Sequence, residues 1–280
     1  MSETAVLHFP QDEVEERVRY VLSVIPALGR SVLSYQQSLS LQESESAETD
    51  YRLMKTAEGH AETALIEALR SRFAKDWLDA DEAGELPGDN DFRWFIDALD
   101  GTRNYVHGSP LFATAIGLCF RGTPVAGVVQ APALGDVYHA IYGNGAVRNG
   151  KPIRVSSVDS VARSIIATGL PYHREKIINE LIADISAFIS SGTGLRRSGS
   201  AALDLCWVAD ARYDAFWEAG LPPHDLCASS VILSEARGRL SGLQGQPFHI
   251  AVGDVIASND HLHNELLQIL RDSRKVEGLN

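Results

Sequence analysis

Apolar positions near the start of the chain recur at helical spacing. Val14, Val18, Val21, Leu22, Ile25 and Leu28 share one stripe of a helix predicted over 11–34, with Pro26 placed to kink it. A second helix is predicted from about Thr56 to Phe73, where Ala61, Leu65, Ala68 and Leu69 lie on one face. Residues 37–50 are rich in Ser, Gln and Glu and read as an exposed, mobile loop. An acidic loop over 79–91 follows. The period then shortens to strand patterns at 92–97, 112–120, 125–130, 136–142 and 146–155, separated by Gly-rich turns. Asn149-Gly150 among them is a hairpin signal.

From about residue 160 strands alternate with helices. A strand is predicted at 165–168, helices at 174–190 and 200–209, and a strand at 213–218. A helix over 223–236, strands near 239–242 and 249–257, and a last helix over 260–270 complete the pattern. No internal repeat and no long linker is visible. The alternation predicts a layered α/β architecture, with an N-terminal α+β half over 1–158 and a C-terminal α/β half over 159–280.

Composition narrows the function. The 280 residues are 45% apolar and 22% charged, as in ordinary globular proteins with a substantial core. A net charge of −12 argues against general nucleic-acid binding, because no basic stripe is available to displace phosphate counterions. Arg196-Arg197 and Arg271 with Arg274-Lys275 are the notable basic clusters, the first a candidate to face a pocket. Cys119, Cys206 and Cys227 stand far apart in apolar runs and read as reduced, buried thiols. The N-terminus begins acidic, unlike a signal peptide, and the run from Val18 to Leu33 is too broken to span a membrane. A cytoplasmic protein is expected.

Two acidic stretches carry the candidate chemistry. In Trp94-Phe95-Ile96-Asp97-Ala98-Leu99-Asp100-Gly101-Thr102 a buried strand delivers two aspartates and breaks at Gly-Thr. Carboxylates held where a strand meets a turn suit hard, oxygen-preferring cations such as Mg²⁺. A Thr hydroxyl just beyond them can orient a water. Taken alone, Asp-x-x-Asp-Gly-Thr is also an ordinary solvated turn. In the second stretch, Leu221-Pro222-Pro223-His224-Asp225, an acid stands at a helix start, where it also complements the helix dipole. Glu235 reads as a plain acid at the edge of the core.

These stretches resemble the inositol monophosphatase family of Mg²⁺-dependent, Li⁺-inhibited phosphomonoesterases, over roughly residues 50–260. Asp97-Ala98-Leu99-Asp100-Gly101-Thr102 is similar to the family's Asp-Pro-(Ile/Leu)-Asp-Gly-Thr, and Asn104-Tyr105 to its following Asn-(Phe/Tyr). His224-Asp225-Leu226-Cys227-Ala228, continuing to Glu235-Ala236-Arg237-Gly238, resembles Trp-Asp-x-Ala-Ala…Glu-Ala-Gly-Gly. The segments 197–204 and 213–218 resemble those lining the family's substrate pocket. Lys55-Thr56-Ala57-Glu58 stands for Thr-Lys-Ala-Asp, and Asp81-Glu82 for the Glu-Glu of Gly-Glu-Glu.

The resemblance implies a five-layer αβαβα sandwich and a homodimer. It implies about two or three Mg²⁺ ions held by Asp81, Asp97, the Leu99 carbonyl, Asp100 and Asp225. Asp81 with Thr102 would activate water. The shorter Asp81 is read as the ligand and Glu82 as its support, the alternative being that Glu82 takes over. Glu58 would help hold an outer ion through water. Phosphate would meet the amides of Gly101, Thr102 and Arg103. The organic part would meet Gly199, Ser200, Ala201 and Glu218, the last accepting hydrogen bonds from polyol hydroxyls.

The favoured substrate is myo-inositol-1-phosphate. Nucleotide 3′(2′),5′-bisphosphates, fructose 1,6-bisphosphate and histidinol phosphate are the alternatives within the chemistry. A catalytically weak binding or scaffold homologue is the alternative outside it.

Overall fold

The computed structural model describes residues 8–39, 47–171 and 177–276. Two long helices open it, α1 (Gln11–Ser38) and α2 (Ala47–Arg72). Their predicted stripes become one buried layer, with Val14, Val18, Val21 and Ile25 packed among Ala57, Ala61, Leu65 and Leu69. Pro26 lies inside α1 on its exposed face. Both helices are longer than predicted, so most of the described part of 37–50 is helical and 40–46 lie outside the described residues. Ser, Gln and Glu suit a helix end as well as a loop, and composition does not separate the two.

Eight strands form the first sheet: β1 (Trp77–Ala80), β2 (Gly84–Leu86), β3 (Phe92–Asp100), β4 (Ala113–Phe120), β5 (Thr123–Ala131), β6 (Asp136–Ile141), β7 (Ala146–Arg148) and β8 (Lys151–Ile153). Their order is β2-β1-β3-β4-β5-β6-β7-β8, antiparallel except for the parallel pair β1 and β3. Two readings need correction. The acidic loop over 79–91 contains the end of β1 and all of β2, a short hairpin whose polar sequence hides its pairing. The single strand at 146–155 is two strands folded back at Asn149-Gly150, where both residues take positive φ, as a tight hairpin turn requires.

The short helix α3 (Thr102–Val106) follows β3. The second sheet holds β9 (Ile165–Thr168), β10 (Gly194–Arg196), β11 (Ala215–Glu218), β12 (Arg239–Ser241) and β13 (Val255–Ser258), in the order β10-β9-β11-β13-β12. The strand predicted over 249–257 begins only at Val255, and β10 was not anticipated, being short and partly exposed. Helix α4 (Ile178–Ser190) starts later than predicted, and 172–176 lie outside the described residues. The remaining helices are α5 (Ala201–Ala209), α6 (Pro223–Glu235) and α7 (His263–Val276).

The layers follow from which faces are apolar. Helices α1 and α2 cover one face of the large sheet, α5 and α6 fill the space between the sheets, and α4 and α7 cover the outer face of the small sheet. This is the expected five-layer sandwich. Helix α6 is buried over eight consecutive residues, Leu226 to Leu233, whose side chains are apolar or small, as suits a helix covered on two sides.

Its seat on the large sheet depends on a cross-strand glycine pair, Gly117 of β4 opposite Gly127 of β5. A Cβ on Gly127 would lie 2.2 Å from the Ala228 carbonyl oxygen, and one on Gly117 would lie 2.4 Å from Cys227 Sγ. All three cysteines are buried and free, and Cys119 Sγ lies 3.6 Å from Cys227 Sγ. Glu235, at the other end of α6, accepts hydrogen bonds from the amides of Gly143 and Gly145 and so holds the β6–β7 turn.

A buried ion pair joins the first helical layer to the sheet. Arg17 donates to both oxygens of Asp76 at 2.8 Å, and Asn90 and Trp94 donate to the same carboxylate. Removing one partner of such a pair strands the other charge in the core, at a cost of about 3–5 kcal/mol. Asp76→Ala is therefore expected to lower the unfolding free energy by about that amount in a urea titration, and a change below about 1 kcal/mol would contradict the assigned role.

Candidate active site

The end of β3 is irregular. Against β4, Asp97 is opposite Ala115 and Asp100 opposite Ala113, so β3 carries one extra residue between the two acids. Three positions apart on a regular strand, they would face opposite sides of the sheet. The bulge restores the phase, and both open on one cleft. Thr114 Oγ1 donates to the Ala98 carbonyl and the Leu99 amide donates to Asp97 Oδ1, which fixes the distorted backbone. Gly101 then turns with φ +87°, where a Cβ would meet the Leu111 carbonyl oxygen at 2.9 Å. Thr102 follows, buried, its hydroxyl against Glu58 and 2.9 Å from the Leu99 carbonyl oxygen.

Beside this turn runs the β1–β2 hairpin. The Asp81 amide donates to the Ile96 carbonyl, which places Asp81 next to Asp97 across the strands. Helix α2 steadies the hairpin through Glu62, whose carboxylate accepts from the amides of Glu82 and Ala83 at 3.0 and 2.7 Å. Glu58 and Glu62, one helical turn apart, thus address the two neighbouring turns. Glu82 does not itself border the cleft, but it sits beside Glu58 and pairs with Lys55, both of which do.

The other wall is made by helix N-termini. Ser200 caps α5, and its hydroxyl and the Ala202 amide donate to Asp100 Oδ2 at 2.6 and 2.8 Å. Asp225 lies in the first turn of α6, behind Pro222-Pro223, whose missing N–H groups cost nothing there. The positive ends of both helices therefore face the acids. Asn104 donates to the Leu111 and Ser198 carbonyls, tying α3 to the loop before α5, and the Tyr105 hydroxyl donates to Val32 of α1. Glu218 ends β11 with its carboxylate over Gly169, where any Cβ would collide with it at 1.8 Å.

The cleft has a volume of about 1030 Å³. Asp81, Asp97, Leu99, Asp100, Gly101, Thr102, Arg103, Gly199, Ser200, Ala201, Glu218, Asp225 and Glu58 all border it. Burial raises Asp97 well above the usual carboxylate range, and the charges of Asp225, Asp100 and Asp81 add to that. Asp225 is pushed up in the same way, by burial and then by Asp100, Asp81 and Glu218. Asp100 is pushed up to about 6 by burial, against the hydrogen bonds from Ser200 and Ala202. Among the described residues no Lys or Arg pairs with Asp97, Asp100 or Asp225.

Carboxylates and one carbonyl without sulfur or imidazole make a donor set that fits a hard cation, and their mutual repulsion is what such a cation relieves. Among the described residues, no group of three or more His, Cys, Asp or Glu side chains is gathered closely enough to hold a metal ion by itself.

Sequence reasoning placed Arg197 and Asp204 in a pocket-lining segment but gave neither side chain a role. Asp204 is buried on α5, borders the cleft, and is pushed up to about 8 by burial and by Asp100, with Arg197 partly compensating. A lone acid in the apolar run Ala201–Ala209 was its available signal, since a buried carboxyl needs a reason. Asp79 and Glu62 were missed because their roles come from pairings that only the folded hairpin creates.

Comparison with known proteins agrees with this geometry. The model of the inositol monophosphatase family matches residues 16–275. An inositol-1-monophosphatase from Synechocystis is 37% identical over 219 residues, 78% of this chain and 76% of that protein. The Nus factor SuhB of Escherichia coli is 34% identical over 213 residues, 76% of this chain and 80% of that protein. The solved structure of inositol monophosphatase from Anabaena superposes with a TM-score of 0.83 at 32% identity, covering 93% of this chain and 97% of that one. No described helix is long and apolar enough to cross a membrane. With its matching fold, its ordered signatures and its acid-lined cleft, the chain belongs to the inositol monophosphatase family.

Proposed function

We propose that the chain is a Mg²⁺-dependent phosphomonoesterase of a small polyol or sugar phosphate, with myo-inositol-1-phosphate the favoured substrate. The observation that carries this is the convergence of Asp97, Asp100 and Asp225 on one cleft, raised together and without a basic partner among the described residues. Asp81, Asp97, the Leu99 carbonyl, Asp100 and Asp225 are the proposed ligands. When bound, magnesium neutralises phosphate charge, acidifies a bound water and steadies the leaving oxygen.

The protein's own groups do the positioning. Ser200 and the Ala202 amide hold one oxygen of Asp100 and leave the other for the cleft. Thr102, its hydroxyl hydrogen directed at Glu58 and the Leu99 carbonyl, keeps lone pairs free to accept from the attacking water beside Asp81. The amides of Gly101, Thr102 and Arg103 stand where phosphate oxygens need donors. Gly199, Ser200 and Ala201 border the space for the organic part. Glu218, pushed up to about 8 by burial and by Asp100 and Asp204, offers a carboxyl to vicinal hydroxyls. The family resemblance further supports a homodimer.

A second reading, binding without turnover, is favoured by the relatives named Nus factor SuhB and by the shortened Asp81. Phosphate release from a panel of sugar and nucleotide phosphates, with Mg²⁺, with EDTA and with Li⁺, separates the two. Metal-dependent turnover supports the enzyme, and its absence across the panel supports the binding role.

Asp100→Asn is expected to fold normally and lose about 100-fold or more in kcat/KM, the scale of damage to a metal site. Retained activity in that variant would remove Asp100 from the ligand set. Glu218→Ala should raise KM for inositol phosphate more than for an aryl phosphate, and equal effects on both would exclude it from specificity.

The raised acids also predict a pH dependence. Between their unfolded values near 4 and their raised folded values, the folded chain binds more protons than the unfolded one, so stability falls as pH rises. Without divalent ions, the contribution of Asp100 should make the melting temperature drop as pH passes upward through about 6. Saturating Mg²⁺ should flatten that slope, and an identical slope with and without Mg²⁺ in differential scanning fluorimetry would count against a metal among these carboxylates.

A further inference from the structure

His224 stands beside Asp225 in the first turn of α6, where the family signature has Trp. Its surroundings come from alternation along the large sheet. Leu78 and Ala80 of β1 point into the α1–α2 layer, so Asp79 and then Asp81 point to the α6 side. Phe95 lies across from Asp79 on that side and packs against the His224 ring, with centroids 6.0 Å apart. His224 Nε2 is 2.9 Å from Asp79 Oδ1, and Asp79 also pairs with Arg93. His224 Nδ1 is 3.7 Å from Asp81 Oδ1, is buried and has no hydrogen-bond partner. Among the described residues it is the one Lys, Arg or His nitrogen within ion-pair range of the Asp81 carboxylate.

We propose that His224, anchored by Asp79, is a positioning residue that ties the hairpin carrying Asp81 to the helix start carrying Asp225 and thereby sets the metal affinity of Asp81. This rests on the reading of Asp81 as a ligand. The argument is one of reach. Asp81 is one methylene shorter than the glutamate of the family signature, so its hairpin must be held close to α6. An imidazole has a nitrogen at either side of its ring, and here one meets Asp79 and the other faces Asp81. A tryptophan has a single ring nitrogen and cannot face both carboxylates. Residues that orient a ligand in this way commonly control metal affinity without touching substrate.

The test is Mn²⁺ binding to the full chain, followed by electron paramagnetic resonance without substrate, together with the Mg²⁺ and substrate dependence of turnover. His224→Phe keeps the ring on Phe95 and removes both nitrogens. Asp79→Asn removes the charge of the anchor and leaves His224 in place, so it carries the test if His224→Phe fails to fold. Each is expected to weaken Mn²⁺ binding about tenfold and to raise the Mg²⁺ requirement similarly. KM for substrate at saturating Mg²⁺ should move less than about twofold. In an Asp81→Asn background, itself weakened, the effect of His224→Phe should vanish, because the interaction it removes is already gone.

Unchanged Mn²⁺ affinity in folded His224→Phe and Asp79→Asn overturns the proposal, as does an equal loss with and without Asp81. If Asp81→Asn binds Mn²⁺ like the wild type, the ligand reading itself fails and the proposal falls with it.

Discussion

Everything at the site depends on how closely α6 sits on the large sheet. Gly117 and Gly127 face each other across β4 and β5, and a methyl group on either would collide with α6. Because the helix backbone lies against the strands, the first turn of α6 comes level with the end of β3. Asp225 then meets Asp97 and Asp100 from across the sandwich. A larger residue at either glycine would push the helix away or strain the sheet. Asp225 would move with the helix.

The second constraint is the bulge at the end of β3. It turns a spacing that ordinarily separates two side chains into one that gathers them, with Leu99 bordering the same cleft between them. The surrounding structure over-determines this backbone: Thr114 holds it from β4, Thr102 from α3, and the start of α5 holds Asp100. None of these contacts is apolar, so the cleft end of the strand is shaped by hydrogen bonds while its middle is shaped by packing.

Assembling these acids has an electrostatic cost, and the fold tolerates it. Desolvation and mutual repulsion raise Asp97, Asp100 and Asp225 together, and Asp204 and Glu218 lie near enough to join them. Two helix N-termini offset part of this. By contrast, Asp79 is held below the ordinary range: burial raises it, but the hydrogen bonds from His224 and Arg93 outweigh that. Asp79 on β1 and Asp97 on the neighbouring strand β3 thus receive opposite treatment, one neutralised within the protein and the other left facing the cleft.

The sequence by itself determined the layered α/β class, because apolar period is a local property read directly from side chains. It also marked Asp97, Asp100, Thr102 and Asp225, since those residues stand at strand ends and helix starts in ordered signatures. It did not reveal β2 or β10, which are too short and too polar to carry a period, nor the true extent of α1 and α2, where a polar sequence reads as loop. It could not give the Gly117–Gly127 pairing, the grip of Glu62 on the Asp81 hairpin, or the meeting of His224 with Asp79. Those contacts join positions far apart in the chain. Only the register of the sheet and the depth at which α6 packs bring them together, and both are set by how whole surfaces fit rather than by any short stretch of residues.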